Sequence, residues 1–250
     1  MTSVKKHLAV YGLLLLSAQF ATRAKSEERT SRGPSVVELY TSQGCSSCPP
    51  ADAVLGELAS MPNTIALAFH VDYWNGLGWP DHYSLPTATE RQRVYTRSLG
   101  LSSAFTPQAV VDGRASFVGS DKTRILSAMS ESANSVPVML QVTDGSLRAH
   151  LPERADHSSY TVYAAAYLPH ALTPVGRGEN SGRTLQEFNI VRQFRSMGTW
   201  KGQASDFSAR LDSFPADAAY VAVLVQREPQ GIIVGSAKIE LPKQGAAAGG

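Results

Sequence analysis

The chain's only two cysteines, Cys45 and Cys48, stand three residues apart in "SQGCSSCPPAD", Ser42 to Asp52. Two thiols at this spacing suit three chemistries: a redox pair, half of a metal site, or a small structural staple. A staple across two intervening residues closes a tiny loop and gains little chain entropy. Structural zinc needs four ligands, and the sequence has no second C-x-x-C or close His pair to complete it. Thiol–disulfide exchange is the remaining chemistry. A strand that delivers C-x-x-C to a helix N-terminus sets backbone N–H groups towards a thiolate, which is the reactive species. In this reading Cys45 is the outer, attacking thiol and Cys48 resolves the mixed disulfide, leaving Cys45–Cys48 oxidised.

The elements that must hold the pair are legible on either side. "SVVELYTS" has the β-branched and aromatic content of a buried strand. "ADAVLGELASM" places Ala51, Val54, Leu55, Leu58 and Ala59 on one helical face. With Pro49 and Pro50 in its first turn, the helix is expected to begin near Ser46 or Ser47. "TIALAFHVDYW" reads as a parallel neighbour of the first strand. Parallel strands share one ligand-binding edge, so Asp72 and Trp74, just past that strand, are expected beside Cys45 as substrate-binding residues. The loop "NGLGWPDHYSLP", the helix "TATERQRVYTRSLG", a hairpin turning at Asp112-Gly113 and a helix capped by Asp121 complete residues 33–135.

Beyond Val136 the pattern becomes short alternating segments separated by turns such as Asp144-Gly145. Residues 136–242 are therefore expected to form an antiparallel sandwich of immunoglobulin-like type. Residues 243–250, "KQGAAAGG", lack core-forming side chains and read as a disordered tail. At the other end, Lys5 and Lys6 precede the apolar run "LAVYGLLLLSAQFA", which predicts a signal peptide over residues 1–24. Export to a bacterial periplasm or exterior follows, with no membrane attachment after cleavage. Residues 1–32 hold six of the 23 basic and two of the 21 acidic groups, so residues 33–250 carry a net charge of −2. That balance gives no basic footprint for nucleic acid.

"VELYTSQGCSSC" and "TPQAVVDGRASFVGSD" together resemble the two landmarks of glutaredoxins, in the same order. The resemblance implies an α/β thioredoxin-like first domain, with Cys45 nucleophilic and Cys48 resolving. It makes Pro107 a cis-proline and Thr106 the residue whose backbone pairs with substrate. Gly119 and Asp121 fall where glutaredoxins hold the charged end of glutathione, although an N-cap explains Asp121 without a ligand. "FHVDYWNGLGWPD", "RQRVY" and "RGENSGRTLQEFNIVR" extend the likeness to an uncharacterised family of exported bacterial proteins with a thioredoxin-like N-terminal domain.

The expected activity is that of an exported thiol–disulfide oxidoreductase with no cofactor, acting on protein or small-molecule thiols and disulfides. Ser46-Ser47 leaves its direction open. Two alternatives stand beside it: a soft-metal, Cu(I)-binding chaperone using both thiolates with His70, and a redox-inert binding module presenting aromatic residues. Glu38 reads either as a proton acceptor for Cys48 or as an outward-facing strand residue. The Arg177, Glu179, Asn180 and Arg183 cluster reads as a polar turn or a docking surface.

Overall fold

The computed structural model describes residues 1–2, 33–132, 134–156 and 158–242. The expected signal peptide and tail therefore lie outside the described residues. The first half runs β1 (Ser35–Thr41), α1 (Pro49–Ala59), β2 (Thr64–His70), α2 (Pro86–Ser98), β3 (Gln108–Val111), β4 (Ala115–Val118) and α3 (Lys122–Ser130). The second half is β5 (Met139–Thr143), β6 (Ser146–Leu151), β7 (Tyr160–Pro174), β8 (Thr184–Trp200), β9 (Ser205–Arg210), a 3-10 turn, β10 (Tyr220–Arg227) and β11 (Ile233–Glu240). Among the described residues no helix is long and apolar enough to cross a membrane.

The expectation of an α/β thioredoxin-like domain followed by an immunoglobulin-like sandwich is overturned. One mixed eight-stranded sheet, ordered β11-β10-β7-β8-β2-β1-β3-β4, runs through both halves, and a three-stranded sheet, β5-β6-β9, stands apart from it. With eleven strands against three α-helices among the described residues, the architecture is mostly β. The halves meet where β8 runs parallel to β2, with Ala68 opposite Ile190. Just before that point Asn189 takes a left-handed backbone (φ 46°), and its side-chain amide donates to the Ala66 carbonyl at 2.8 Å.

The physical reason lies in strands that are buried on both faces. Along β10, Val221, Val223 and Val225 join a core shared with Leu147, Ala149 and Leu151 of β6. Ala222 and Leu224 between them join Ile65, Leu67 and Phe69 of β2 and Tyr95 of α2. The run Ala164-Ala165-Ala166 in β7 divides between the same two cores. A third core packs Val37 and Leu39 of β1 under Leu55, Leu58 and Ile125 of α1 and α3. Helix α1 also comes so close to β8 that a Cβ on Gly56 would lie 2.7 Å from the Phe188 ring.

The second core encloses a charge pair. Glu38, fully buried, receives both Arg91 Nε (2.5 Å) and Nη2 (2.9 Å), and the Tyr95 hydroxyl at 2.7 Å. Arg91 also donates to Gln226 of β10 at 3.0 Å and lies 4.4 Å from the Phe194 ring centre of β8. Glu38 is therefore neither outward-facing nor committed to Cys48; it holds α2 to the sheet. Removing one member of a buried pair strands the other charge. Arg91→Met should cost about 3–5 kcal/mol in urea unfolding, and adding Glu38→Leu to it should restore most of that loss. Equal losses in the single and double variants would show that packing, not charge, decides.

Candidate functional site

The loop from Ser42 to Cys48 leaves the end of β1 in a turn closed by Cys45 N–H donating to the Ser42 carbonyl at 3.1 Å. A second turn follows, with Cys48 N–H donating to the Cys45 carbonyl at 3.2 Å. Helix α1 begins later than its sequence suggests, with Cys48 as N-cap and Pro49 and Pro50 in its opening positions. A proline there loses no helical hydrogen bond, so the double proline sets the helix start directly behind the second cysteine.

Cys45 and Cys48 form a disulfide with a Cα–Cα distance of 5.4 Å. Both are wholly buried, while Ser46 and Ser47 between them are exposed. An outer thiol open to solvent, the arrangement expected of a redox-active C-x-x-C on a thioredoxin-like fold, is thus not present. The reason is a cover that local sequence does not reveal. Between β7 and β8 the chain turns through Val175–Arg183, and this tip lies over the cysteine loop. Asn180, buried, donates its side-chain amide to the carbonyls of Gln43 (3.0 Å) and Cys45 (2.9 Å). Glu179 accepts the Ser46 N–H at 3.1 Å, and the bonds from Ser46 hold its carboxyl below the ordinary range. Arg183 donates to the Asn180 side-chain oxygen at 3.0 Å. Both readings of this polar cluster hold: it is the polar turn of the β7–β8 hairpin, and its side chains dock on the first half of the same chain.

The other expected site residues divide. Trp74 packs on Gly44, where an added Cβ would be 3.2 Å from the Trp74 Cβ. Its indole N–H donates to Thr106 Oγ1 at 2.9 Å, so Trp74 bridges the cysteine loop and the Thr106–Pro107 turn. The Thr106–Pro107 peptide is cis, and the Pro107 carbonyl accepts Gly119 N–H at 2.9 Å. Asp72 instead turns to α2, accepting the Thr89 hydroxyl at 2.5 Å while its N–H donates back to that oxygen at 3.1 Å. Asp121 caps α3 by accepting Arg124 N–H at 3.1 Å.

Against the cysteine loop lies a buried polar network; the sequence reading singled out only its His70, as a core histidine with satisfied partners or a third metal ligand, and missed the rest. Gln43 is its hub: its N–H donates to Asp81 (2.8 Å) and its amide nitrogen to Glu187 (2.9 Å). Its amide oxygen accepts the Trp79 indole N–H at 2.9 Å. Asp81 also bonds His70 Nδ1 at 2.8 Å, and His70 Nε2 lies 3.9 Å from Glu187. Asp52, one helical turn after Cys48, accepts the Thr41 hydroxyl at 2.8 Å. Both ring nitrogens of His70 thus face carboxylates, which explains how a histidine sits inside an apolar strand. Among the described residues no group of three or more His, Cys, Asp or Glu is arranged to hold a metal ion. The sequence signals for this network were a histidine inside an apolar strand and position: Gln43 and Asp52 flank the cysteines by two and four residues.

These groups titrate unusually. Burial acts to lower His70, but Asp81, Glu187 and Asp52 outweigh it and raise the imidazole from 6.5 to about 9. Burial raises the Asp52 carboxyl from 3.8 to about 7 against the pull of His70 and Thr41. Burial opposes ionisation of Asp81 too, yet the His70 charge and hydrogen bonds from His70, Gln43 and Tyr83 bring it below the ordinary range.

Fold and site together define a mostly-β, mixed-sheet protein whose single disulfide is covered by its own hairpin. The chain belongs to a protein family of unknown function, DUF1223, whose pattern matches residues 36–226. It is similar to the crystal structure of protein AGR_C_4864 from Agrobacterium tumefaciens, at 28% identity and TM-score 0.72, over 83% of this chain and 94% of that one. HBP35 of Porphyromonas gingivalis shares the fold more loosely, at 15% identity and TM-score 0.56, over 84% of this chain and 76% of that one. No curated protein matches the chain.

Both raised pKa values favour the folded state at low pH. The His70 contribution is complete below pH 6.5 and is lost as pH rises through about 9. The Asp52 contribution is complete below pH 3.8 and is lost as pH rises through about 7. Urea unfolding of the native protein should show stability falling across this range, with about 3 kcal/mol of the alkaline loss absent in His70→Gln. A parallel alkaline slope in that variant would place the titrating group elsewhere.

Proposed function

We propose that the protein exchanges disulfides with polypeptide thiols through Cys45–Cys48, in an oxidising compartment reached by way of the basic, apolar leader. The observation that carries the reading is a disulfide closing only a two-residue gap at the start of α1. Its contribution to chain entropy is small, and three hydrophobic cores hold the fold without it. A bond that stabilises so little is better suited to reaction than to support.

The step balances as follows. One thiolate of a substrate dithiol attacks Cys45 Sγ; the Cys45–Cys48 bond breaks and Cys48 leaves as thiolate. The second substrate thiolate then attacks its own half of the mixed disulfide and releases Cys45. The substrate is oxidised to a disulfide, the pair is reduced to two thiols, and each released thiolate takes up a proton. Read in the opposite direction, the same steps reduce a substrate disulfide. The chain's own residues supply the position: the two turns of the cysteine loop fix both sulfurs, and Trp74 with Thr106 forms the adjoining wall.

Oxidation of a peptide dithiol by the native protein should be stoichiometric, and Cys48→Ser mixed with the oxidised, disulfide form of that peptide should accumulate a mixed disulfide at Cys45. Cys45→Ser should abolish exchange. The double Cys→Ser variant should lose no more than about 2 kcal/mol of stability. If the folded protein never exchanges with any dithiol, the redox-inert binding module becomes the correct reading.

A further inference from the structure

The tip of the β7–β8 hairpin does more than close a surface. Its contacts fall on three backbone groups of the cysteine loop: the carbonyls of Gln43 and Cys45 and the N–H of Ser46. Those are groups that a second chain would use when lying along the loop, since an extended backbone offers N–H donors and carbonyl acceptors in alternation. Asn180 imitates the donors and Glu179 the acceptor. We propose that the tip, Val175–Arg183, is a built-in competitor that occupies the disulfide's partner groove, and that an extended polypeptide bearing thiols displaces it. This rests on the exchange reading above and adds to it the control of access and the class of partner.

The tip is built to leave. Its bonds to the loop come from two side chains, Asn180 and Glu179, and Glu179 is exposed. Gly178 takes a left-handed backbone (φ 77°) against Trp79, a conformation that glycine adopts without strain. Outside the tip the hairpin is anchored by long strands, fifteen residues in β7 and seventeen in β8. At the base of the tip, Val175 N–H donates at 2.9 Å to the Arg183 carbonyl, and the Val175 carbonyl accepts Gly182 N–H at 2.8 Å. A movement can therefore be confined to the turn. Hydrogen bonds of ordinary strength hold such a cover closed most of the time and let it open without unfolding.

The test compares initial rates of reduction of the native disulfide by dithiothreitol and by a short, unstructured two-cysteine peptide. Wild type, Glu179→Ala and Asn180→Ala are measured at one pH, with thermal unfolding recorded for each. Glu179→Ala removes an exposed side chain and keeps the fold, so it stands as the control should the buried Asn180→Ala unfold. Dithiothreitol should act about tenfold faster on Asn180→Ala and severalfold faster on Glu179→Ala than on wild type. In wild type the peptide should outpace dithiothreitol at equal thiolate concentration, and the variants should narrow that gap. Unchanged dithiothreitol rates in the folded variants overturn the competitor, even if exchange itself proceeds. Faster reduction of the variants, with no oxidation of peptide by any form, supports the cover while removing the exchange reaction. A wild type that reacts with peptide no faster than with dithiothreitol overturns the assignment of the partner.

Discussion

The entry of β8 beside β2 is the constraint from which the rest of the structure follows. It is a narrow junction, one parallel pairing at Ala68 and Ile190 reinforced by the Asn189 amide on Ala66. Yet it fixes where both ends of a seventeen-residue strand lie. One end delivers Glu187 under the cysteine loop and the hairpin tip over it. Along the middle, Phe188 sets how closely α1 approaches, and Phe194 provides a ring for Arg91. The disulfide therefore belongs to both halves of the chain, although both its sulfurs come from the first.

Two buried polar systems lie on the sheet, and each joins the halves in a different way. Glu38 and Arg91 form a paired charge within an aromatic shell, with Gln226 reaching in from β10. A paired, fully hydrogen-bonded charge fixes the orientation of α2 more than it adds stability. The second system, around Gln43, His70, Asp81 and Glu187, mixes positive and negative groups with neutral donors. Its His70 is raised and its Asp81 lowered from their ordinary values, so its cohesion depends on pH.

What was legible in the sequence was local. The order of strands and helices up to α3, the turn at Asp112-Gly113, the Asp121 cap and the pairing of the two cysteines all depend on neighbours within a few positions. The sheet's continuation was not legible, because alternation tells which residues share a face and not what covers it. In β10 both alternating sets are apolar and both are buried, which suits one two-sided sheet as well as a sandwich. The burial of Cys45 was hidden for a related reason. Its cover, Asn180, lies 135 residues away, in a stretch whose charges and glycines have the composition of an ordinary turn. Asp72 misled in the opposite sense: position put it at the right sheet edge, and Thr89 drew its carboxylate away.

The shared sheet also governs what happens if the chain is divided. A cut near residue 135 would strip β2 of its neighbour and leave the edges of β2 and β8 that meet at Ala68 and Ile190 uncovered on separate fragments. Raw edges of this kind recruit strands from other molecules. Each piece would present that border to other molecules as well as to its missing half.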